Sequence, residues 1–178
     1  MFGRYENFPE NVHYVAIFNN QASVKSIQQA LLWALHHLNR EVYDLGAVTP
    51  YLQQKCEVSF EFGVADDDVF NFLDSKELDQ CLWHVSEKEV QMLDFFSVVR
   101  YHATGDGGKR IPLRFDYHVL RFIVQEGYVE MRIRHEKGTQ RIPIDDLTDF
   151  IAKRINSELF QRRLNPLVLA HFEKVRLQ

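Results

Sequence analysis

Extended runs of residues, separated by short turns that contain glycine, fill most of the second half of the sequence and limit the fold more than any other feature. Glycines at Gly105, Gly127 and Gly138 fall in these turns, and Pro112 and Pro143 indicate edge positions within the runs. Strands joined by such short turns pair as antiparallel neighbours. The pattern therefore predicts an antiparallel β-meander of about four strands, over residues 98–104, 109–125, 128–136 and 139–144.

The first half and the end of the chain predict further strands and several helices. A β-branched and aromatic run at 12–18 predicts a buried strand, and the alternation at 56–64 predicts a second strand with one buried face. Between them, apolar residues at helical spacing predict an amphipathic helix over residues 22–41. A similar stripe after Asp145 predicts a helix behind the meander. Residues 167–177 are expected to form a short terminal helix.

The segment between the second strand and the meander is acidic and is expected to be helical. Asp66, Asp67 and Asp68 suit a helix N-terminus, where the helix dipole favours negative charge. Ser75 can begin another short helix, and residues 86–89 fit a capping box before a third. We therefore expect an acidic helical segment here.

Together these elements predict a single α+β domain over residues 1–178. Its parts are the meander with its amphipathic backing helix, an N-terminal strand-helix-strand unit and the acidic helical segment. The order of elements and the charge suggest an acidic sub-half at 1–97 and a basic sub-half at 98–178. Two cysteines, Cys56 and Cys81, are too few for a disulfide framework and are expected to be small buried hydrophobes.

The sequence also bears on location and cofactors. No apolar run approaches the roughly 18 to 20 residues that a membrane-spanning helix needs. The first residues mix charges with Phe and Pro and lack the apolar core of a secretory signal. We expect a cytoplasmic protein that has no membrane partner and no cofactor.

Charge is distributed unevenly along the chain, although the formal net charge is only −4. Residues 1–97 hold 6 Lys and Arg against 15 Asp and Glu, whereas residues 98–178 hold 15 against 10. One interpretation is a basic surface for an acidic or phosphate-rich partner. The other is that the two halves pack together and neutralise each other. A balance of +5 over the second half is below that of most dedicated nucleic-acid modules.

Arginines on the meander supply the candidate binding surface. If Lys137 and Gly138 centre a turn, Arg134 lies opposite Arg141, with Arg132 two residues away. Like charges facing each other across a sheet are unfavourable unless an anion or a carboxylate lies between them. That counter-ion can come from the acidic half, from an acidic protein or from nucleic acid, on which nearby tyrosines could stack bases. The candidate binding residues are Arg132, Arg134, Arg141, Lys109, Arg110 and Tyr128.

The glycine-rich turn at 105–108 raises the question of a phosphate loop. A Walker A loop needs Ser or Thr after its Lys and a helix whose N-terminus faces the phosphates. Here Lys109 is followed by Arg110 and an extended run. The residues favour a hairpin turn, with a weak anion contact through Lys109 and Arg110 as the alternative.

A turn at Glu126 and Gly127 places His118 opposite His135 on one face of the predicted hairpin, with Asp116 two residues from His118. Such a cluster suits a metal site, proton transfer or a pH-sensitive patch. The alternative is a polar sheet margin, and a count of two histidines and one carboxylate is weak evidence for a metal. We keep the three residues as weak candidates and predict no metal.

No motif in the sequence establishes an enzyme. The leading hypothesis is an uncharacterised interaction module whose basic meander binds an acidic protein partner or a second copy of the chain, as a homo-oligomer. The runner-up is nucleic-acid binding by the same surface. The third hypothesis is a metal-dependent enzyme at the cluster of His118, His135 and Asp116.

Overall fold

One antiparallel sheet of eight strands, flanked by four helices, makes up the part of the chain that the computed structural model describes, residues 1–51 and 55–177. The strands are β1 Tyr14–Asn19, β2 Val42–Asp44, β3 Glu57–Asp66, β4 Val69–Phe72, β5 Met92–Thr104, β6 Arg110–Gln125, β7 Tyr128–Gly138 and β8 Val168–Lys174. The helices are α1 Val24–Leu38, α2 Leu45–Val48, α3 Ser75–Glu87 and α4 Ile144–Gln161.

The strand order shows that the sheet is larger than the predicted meander. It runs β2-β3-β5-β6-β7-β1-β8, with β4 added beside β3. The mixed helix and sheet composition and the antiparallel pairing are confirmed, but the expectation of about four strands is wrong. The N-terminal strand does not belong to a separate unit, because β1 lies between β7 and β8.

The two faces of the sheet differ in what covers them. On one face, side chains such as Phe95, Phe122 and Ile133 are buried against a layer of helices in which α1 packs between α3 and α4. On the other face, which we call the open face, the N-terminal segment crosses part of the sheet. The Gly3 N–H donates to the Ala65 carbonyl at 2.8 Å, and the Arg121 guanidinium lies 4.1 Å from the centre of the Phe8 ring.

Two segments of the acidic region are strands rather than helices. Asp66 to Asp68 lie at a hairpin turn, because Val69 pairs with Asp66 and the strands β3 and β4 are antiparallel neighbours. The capping-box prediction at 86–89 is also wrong, since β5 begins at Met92. Side chains on its core face alternate with the period of a strand and pair with β3 and β6 over most of its length.

Two predictions near the end of the chain are corrected as well. Residues 139–141 form a connection, in which Gln140 has a φ of 52°, and α4 begins at Ile144. Residues 168–174, expected to be helical, pair with β1 as β8. In both places tertiary pairing decides the structure, and short local patterns do not record it.

The cysteines lie in the core, and the position at which the charge changes lies inside the sheet. Cys56 and Cys81 are both buried and unpaired with each other, as expected. Within the described residues, no helix combines the length and the apolar character needed to cross a membrane. Residue 97, where the charge changes, lies within β5, between neighbours that come from both halves of the sequence.

Candidate interaction surface and buried histidine cluster

The histidine cluster forms, and it is buried on the helix-covered side of the sheet. His118 lies opposite His135 as the register predicts, with ring centres 5.1 Å apart. Asp116 is 1% exposed and accepts hydrogen bonds from the Tyr101 hydroxyl at 2.5 Å and from the Gln140 N–H at 2.7 Å. Its Oδ1 also lies 2.9 Å from Nε2 of His135. Asp116 is therefore the centre of a saturated hydrogen-bond network.

His118 lies outside this network. Its two ring nitrogens are buried without a hydrogen-bond partner, and so is the hydroxyl of Ser97, the residue opposite it on β5. Burial is the main reason why the pKa of His118 falls to about 3, and the neighbouring His135 lowers it further. The imidazole is thus neutral at physiological pH.

The pKa of Asp116 shows how the network holds a charge in the core. Burial on its own would raise this pKa, but the hydrogen bonds from Tyr101, His135 and Gln140 outweigh it and keep the pKa below its usual value. Burial and the bond to Asp116 raise the pKa of Tyr101. The pair is therefore a carboxylate with a neutral phenol as its donor.

The centre of this cluster is shielded from solvent. Asp116 and His118 are each 1% exposed, so a substrate has no direct approach to them. Among the described residues, no group of three or more His, Cys, Asp and Glu is arranged to hold a metal ion. The cluster connects β5, β6, β7 and the turn before α4, which is a structural role.

The structure does not bring together the six candidate binding residues. Arg132 Nε lies 2.9 Å from Glu130, and Arg134 donates to the Asn11 carbonyl at 2.8 Å and lies 3.6 Å from Glu136. The hairpin that would place Arg141 opposite Arg134 does not form, because β7 ends at Gly138.

Arg141 and Tyr128, two more of the six candidates, are also engaged locally. The Arg141 guanidinium lies over the Tyr101 ring, 5.5 Å from its centre. The Tyr128 hydroxyl donates to Gln125 at 2.6 Å. Both side chains therefore already have a partner within the chain.

Several meander arginines pair with acids of the first half of the chain. Arg121 makes a two-point contact with buried Asp94, at 2.7 and 2.8 Å. Arg100 pairs with Glu61, and Arg154 of α4 pairs with Glu41. On the open face and at α4, arginines of the second half of the sequence are therefore neutralised by acids of the first half.

A different basic surface lies where β5 and β6 project beyond the rest of the sheet. We call residues 102–115, which include the ends of both strands and their turn, the arm. The pairing of β7 with β6 starts at Asp116, so residues 110–115 have no strand paired with them on that side among the residues described. The arm carries the exposed cations Lys109, Arg110 and Arg114.

Apolar side chains are exposed on the same arm. Ile111 is 49% exposed, Leu113 is 41% exposed and Phe115 is 39% exposed. Arg110 lies 3.5 Å from Glu57, a solvent-exposed pair of little energetic weight. Within the described chain Lys109 and Arg114 have no ion-pair partner. The arm thus combines a strand edge, positive charge and apolar surface.

An aromatic row continues from the arm across the open face. Phe115 and Tyr117 have ring centres 4.8 Å apart, Tyr117 and Phe96 are 5.2 Å apart, and Phe96 and Phe70 are 5.5 Å apart. Beside it an open groove of about 640 Å³ lies between the N-terminal segment and the sheet, where Arg134 and Glu136 line one side.

Sequence reasoning named Lys109 and Arg110 but missed Arg114, Ile111, Leu113 and Phe115 as members of one surface. A usable signal was the length of the predicted strands. The strand at 109–125 is much longer than its predicted partner at 128–136. Its first part must therefore extend beyond that partner and leave an edge unpaired.

Comparison of the chain with protein-family models, with curated proteins and with solved structures finds no match.

Proposed function

We propose that the protein is an interaction module whose arm binds an acidic segment of a partner protein. The observation that supports this is the coincidence, at residues 109–115, of three exposed cations with an unpaired strand edge. An extended peptide that lies along such an edge forms main-chain hydrogen bonds, and its alternate side chains meet those of the edge strand. Acidic side chains of that peptide would then lie near the exposed cations of the arm, Lys109, Arg110 and Arg114.

The composition of the arm favours recognition by charge over recognition by backbone alone. Pro112 has no N–H and removes one donor from the strand. An edge that carries charge and proline is protected against indiscriminate strand pairing. A partner of the correct charge overcomes this protection, while apolar contacts with Ile111 and Leu113 add affinity. Binding should therefore weaken as salt is added.

Fluorescence anisotropy with a labelled decapeptide of alternating Glu and Val tests the proposal. We expect saturable binding at low salt, weaker binding at higher salt, and no binding of the matching Lys and Val peptide. The triple variant Lys109→Glu, Arg110→Glu and Arg114→Glu should lose binding, because its arm repels the peptide.

A second triple variant controls for net charge. Lys76, Lys88 and Arg162 are exposed cations remote from the arm in sequence, and their replacement by Glu changes the net charge by the same amount. This control should bind the peptide more tightly than the arm variant by at least tenfold. Equal loss in both variants would show that only overall charge matters, and the proposal would be abandoned.

The aromatic row supports a second candidate, the binding of single-stranded nucleic acid. Exposed rings beside a cationic strand are a common platform for stacked bases. The same assay with labelled oligo(dT) separates the two candidates. Binding that falls steeply with salt and is lost in Phe115→Ala and Tyr117→Ala, without binding of the acidic peptide, would replace the first candidate by the second.

A further inference from the structure

The last strand of the sheet, β8, is an edge of unusual exposure. It pairs with β1 on one side and has no strand on the other side within the described part of the chain. All seven of its residues are exposed, including Val168 at 58%, Leu169 at 49% and Phe172 at 52%. In contrast to the arm, β8 contains no proline.

The charges on β8 do not protect its edge. Lys174 is held by Asp145 of α4 at 2.8 Å, on the helix side of the sheet. Glu173 lies opposite Val15 and His171 opposite Ile17, so both project on the open face. A long apolar edge without such protection is a template for pairing with another strand.

The backbone pattern restricts which registers a second β8 can adopt. The Val175 N–H donates to the His13 carbonyl at 2.8 Å, and therefore points towards β1. Because hydrogen-bonding directions alternate along a strand, Phe172 and Lys174 point their N–H and C=O groups away from β1. Outward-pointing residues of the two copies must face each other, so a two-fold axis in this part of β8 passes through Phe172, Glu173 or Lys174.

Charge decides among the three positions. An axis at Lys174 would place two lysines opposite each other and an axis at Glu173 would place two glutamates opposite each other, and both are unfavourable. An axis at Phe172 places the two Phe172 rings together and sets Glu173 of each copy opposite His171 of the other. This arrangement is self-complementary, as an isologous contact requires.

We infer that β8 pairs antiparallel with β8 of a second copy of this chain, about a two-fold axis at Phe172, so that two sheets become one. This surface is separate from the arm, and the inference does not depend on the acidic partner. Phe160 of α4, which is 82% exposed, lies beside an open cavity of about 670 Å³ next to the residues that lead into β8.

Sedimentation equilibrium of the full chain tests the inference. We expect a dimer mass for the wild type and a monomer mass for Phe172→Glu, because that substitution sets two carboxylates at the axis. Phe72→Glu is a matched control, since Phe72 is also 52% exposed but lies in β4 beside β3. A wild type that stays monomeric up to its solubility limit would overturn the inference, as would equal dissociation by both substitutions.

A charge exchange tests the register. His171→Glu places two carboxylates opposite each other in both symmetry-related pairs and should shift the equilibrium towards monomer. Adding Glu173→Lys restores opposite charges and should recover the dimer. Failure of the double variant to recover would contradict the axis at Phe172, even if the wild type is a dimer.

Discussion

His118 is an exception to the rule that buried polar groups are hydrogen-bonded. Its two nitrogens and the Ser97 hydroxyl lack partners inside the sheet, beside a network in which Asp116 has three. The protein keeps this imidazole neutral by burial. An unfolded chain, in contrast, leaves it free to take up a proton near its ordinary pKa of 6.5.

This difference predicts an acid-sensitive stability. Because the pKa of His118 is about 3 in the folded protein and 6.5 in the unfolded chain, unfolding takes up a proton between these values. The stability that comes from keeping His118 neutral is intact above pH 6.5 and is lost as pH falls towards 3. His118→Leu should remove about 2–3 kcal/mol of the stability loss between pH 7 and pH 4.5.

Urea unfolding of wild type and His118→Leu at both pH values checks this prediction. The comparison at pH 7, where residue 118 is mostly uncharged in both the folded and the unfolded chain, separates the effect of packing from that of protonation. A variant that loses as much stability as the wild type on acidification would show that the protonation of His118 does not contribute.

At the scale of elements, the register of β6 and β7 shows what the sequence could predict and where prediction ended. The two-residue turn correctly places His118 opposite His135, and the pairing holds from there to the turn. Beyond this point the register shifts between Tyr117 and His118, so Asp116 lies opposite Gly138 and not Lys137. A bulge of this kind depends on the tertiary contacts of Asp116, which sequence alternation does not record.

The helix predictions also divide into those that were correct and those that were wrong. The stripes in α1 and α4 predicted helices because each is long enough to present several turns of one apolar face. The segments at 66–72, 86–97 and 167–177 were assigned incorrectly because caps and short apolar runs suit either a helix or a strand. The prediction of the binding site had the same limit. A count of arginines does not show that Arg132 pairs with Glu130 of its own strand.

Gly138 ends β7 in a conformation that only glycine adopts easily, with a φ of 121°. A Cβ atom at this position would lie 2.3 Å from the Phe115 carbonyl oxygen and 2.3 Å from Oδ1 of Asp116. Gly138→Ala should therefore destabilise the fold by about 2 kcal/mol or more, through strain and through displacement of Asp116.

Gly127→Ala provides the matched control for Gly138→Ala. Gly127 has a φ of 90°, but a Cβ there meets nothing within 4 Å. It should cost about 1–2 kcal/mol from conformation alone. If chemical denaturation shows equal losses for the two variants, the contacts of Gly138 with Phe115 and Asp116 are unimportant.

At the scale of the whole molecule, the charge asymmetry is resolved by strand order. Acids lie on β3 and on the first part of β5, whereas arginines lie on the second part of β5 and on β6. Asp94 and Arg121 therefore meet across one strand pair, and Glu61 and Arg100 meet across the next. Neither half of the sequence completes its own sheet. The order β2-β3-β5-β6-β7-β1-β8 makes residues 14–19 of the first half a neighbour of β7 and β8 of the second.

Such an interleaved sheet should unfold in a single step. Trp33 and Trp83 report on helices of the first half, and the methyl group of buried Met131 reports on β7 of the second. Tryptophan fluorescence and the Met131 methyl resonance, followed in the same urea series, should give coincident midpoints. Two separated midpoints would mean that one half of the sequence unfolds while the other half stays folded. The acidic and basic halves would then be independent folding units.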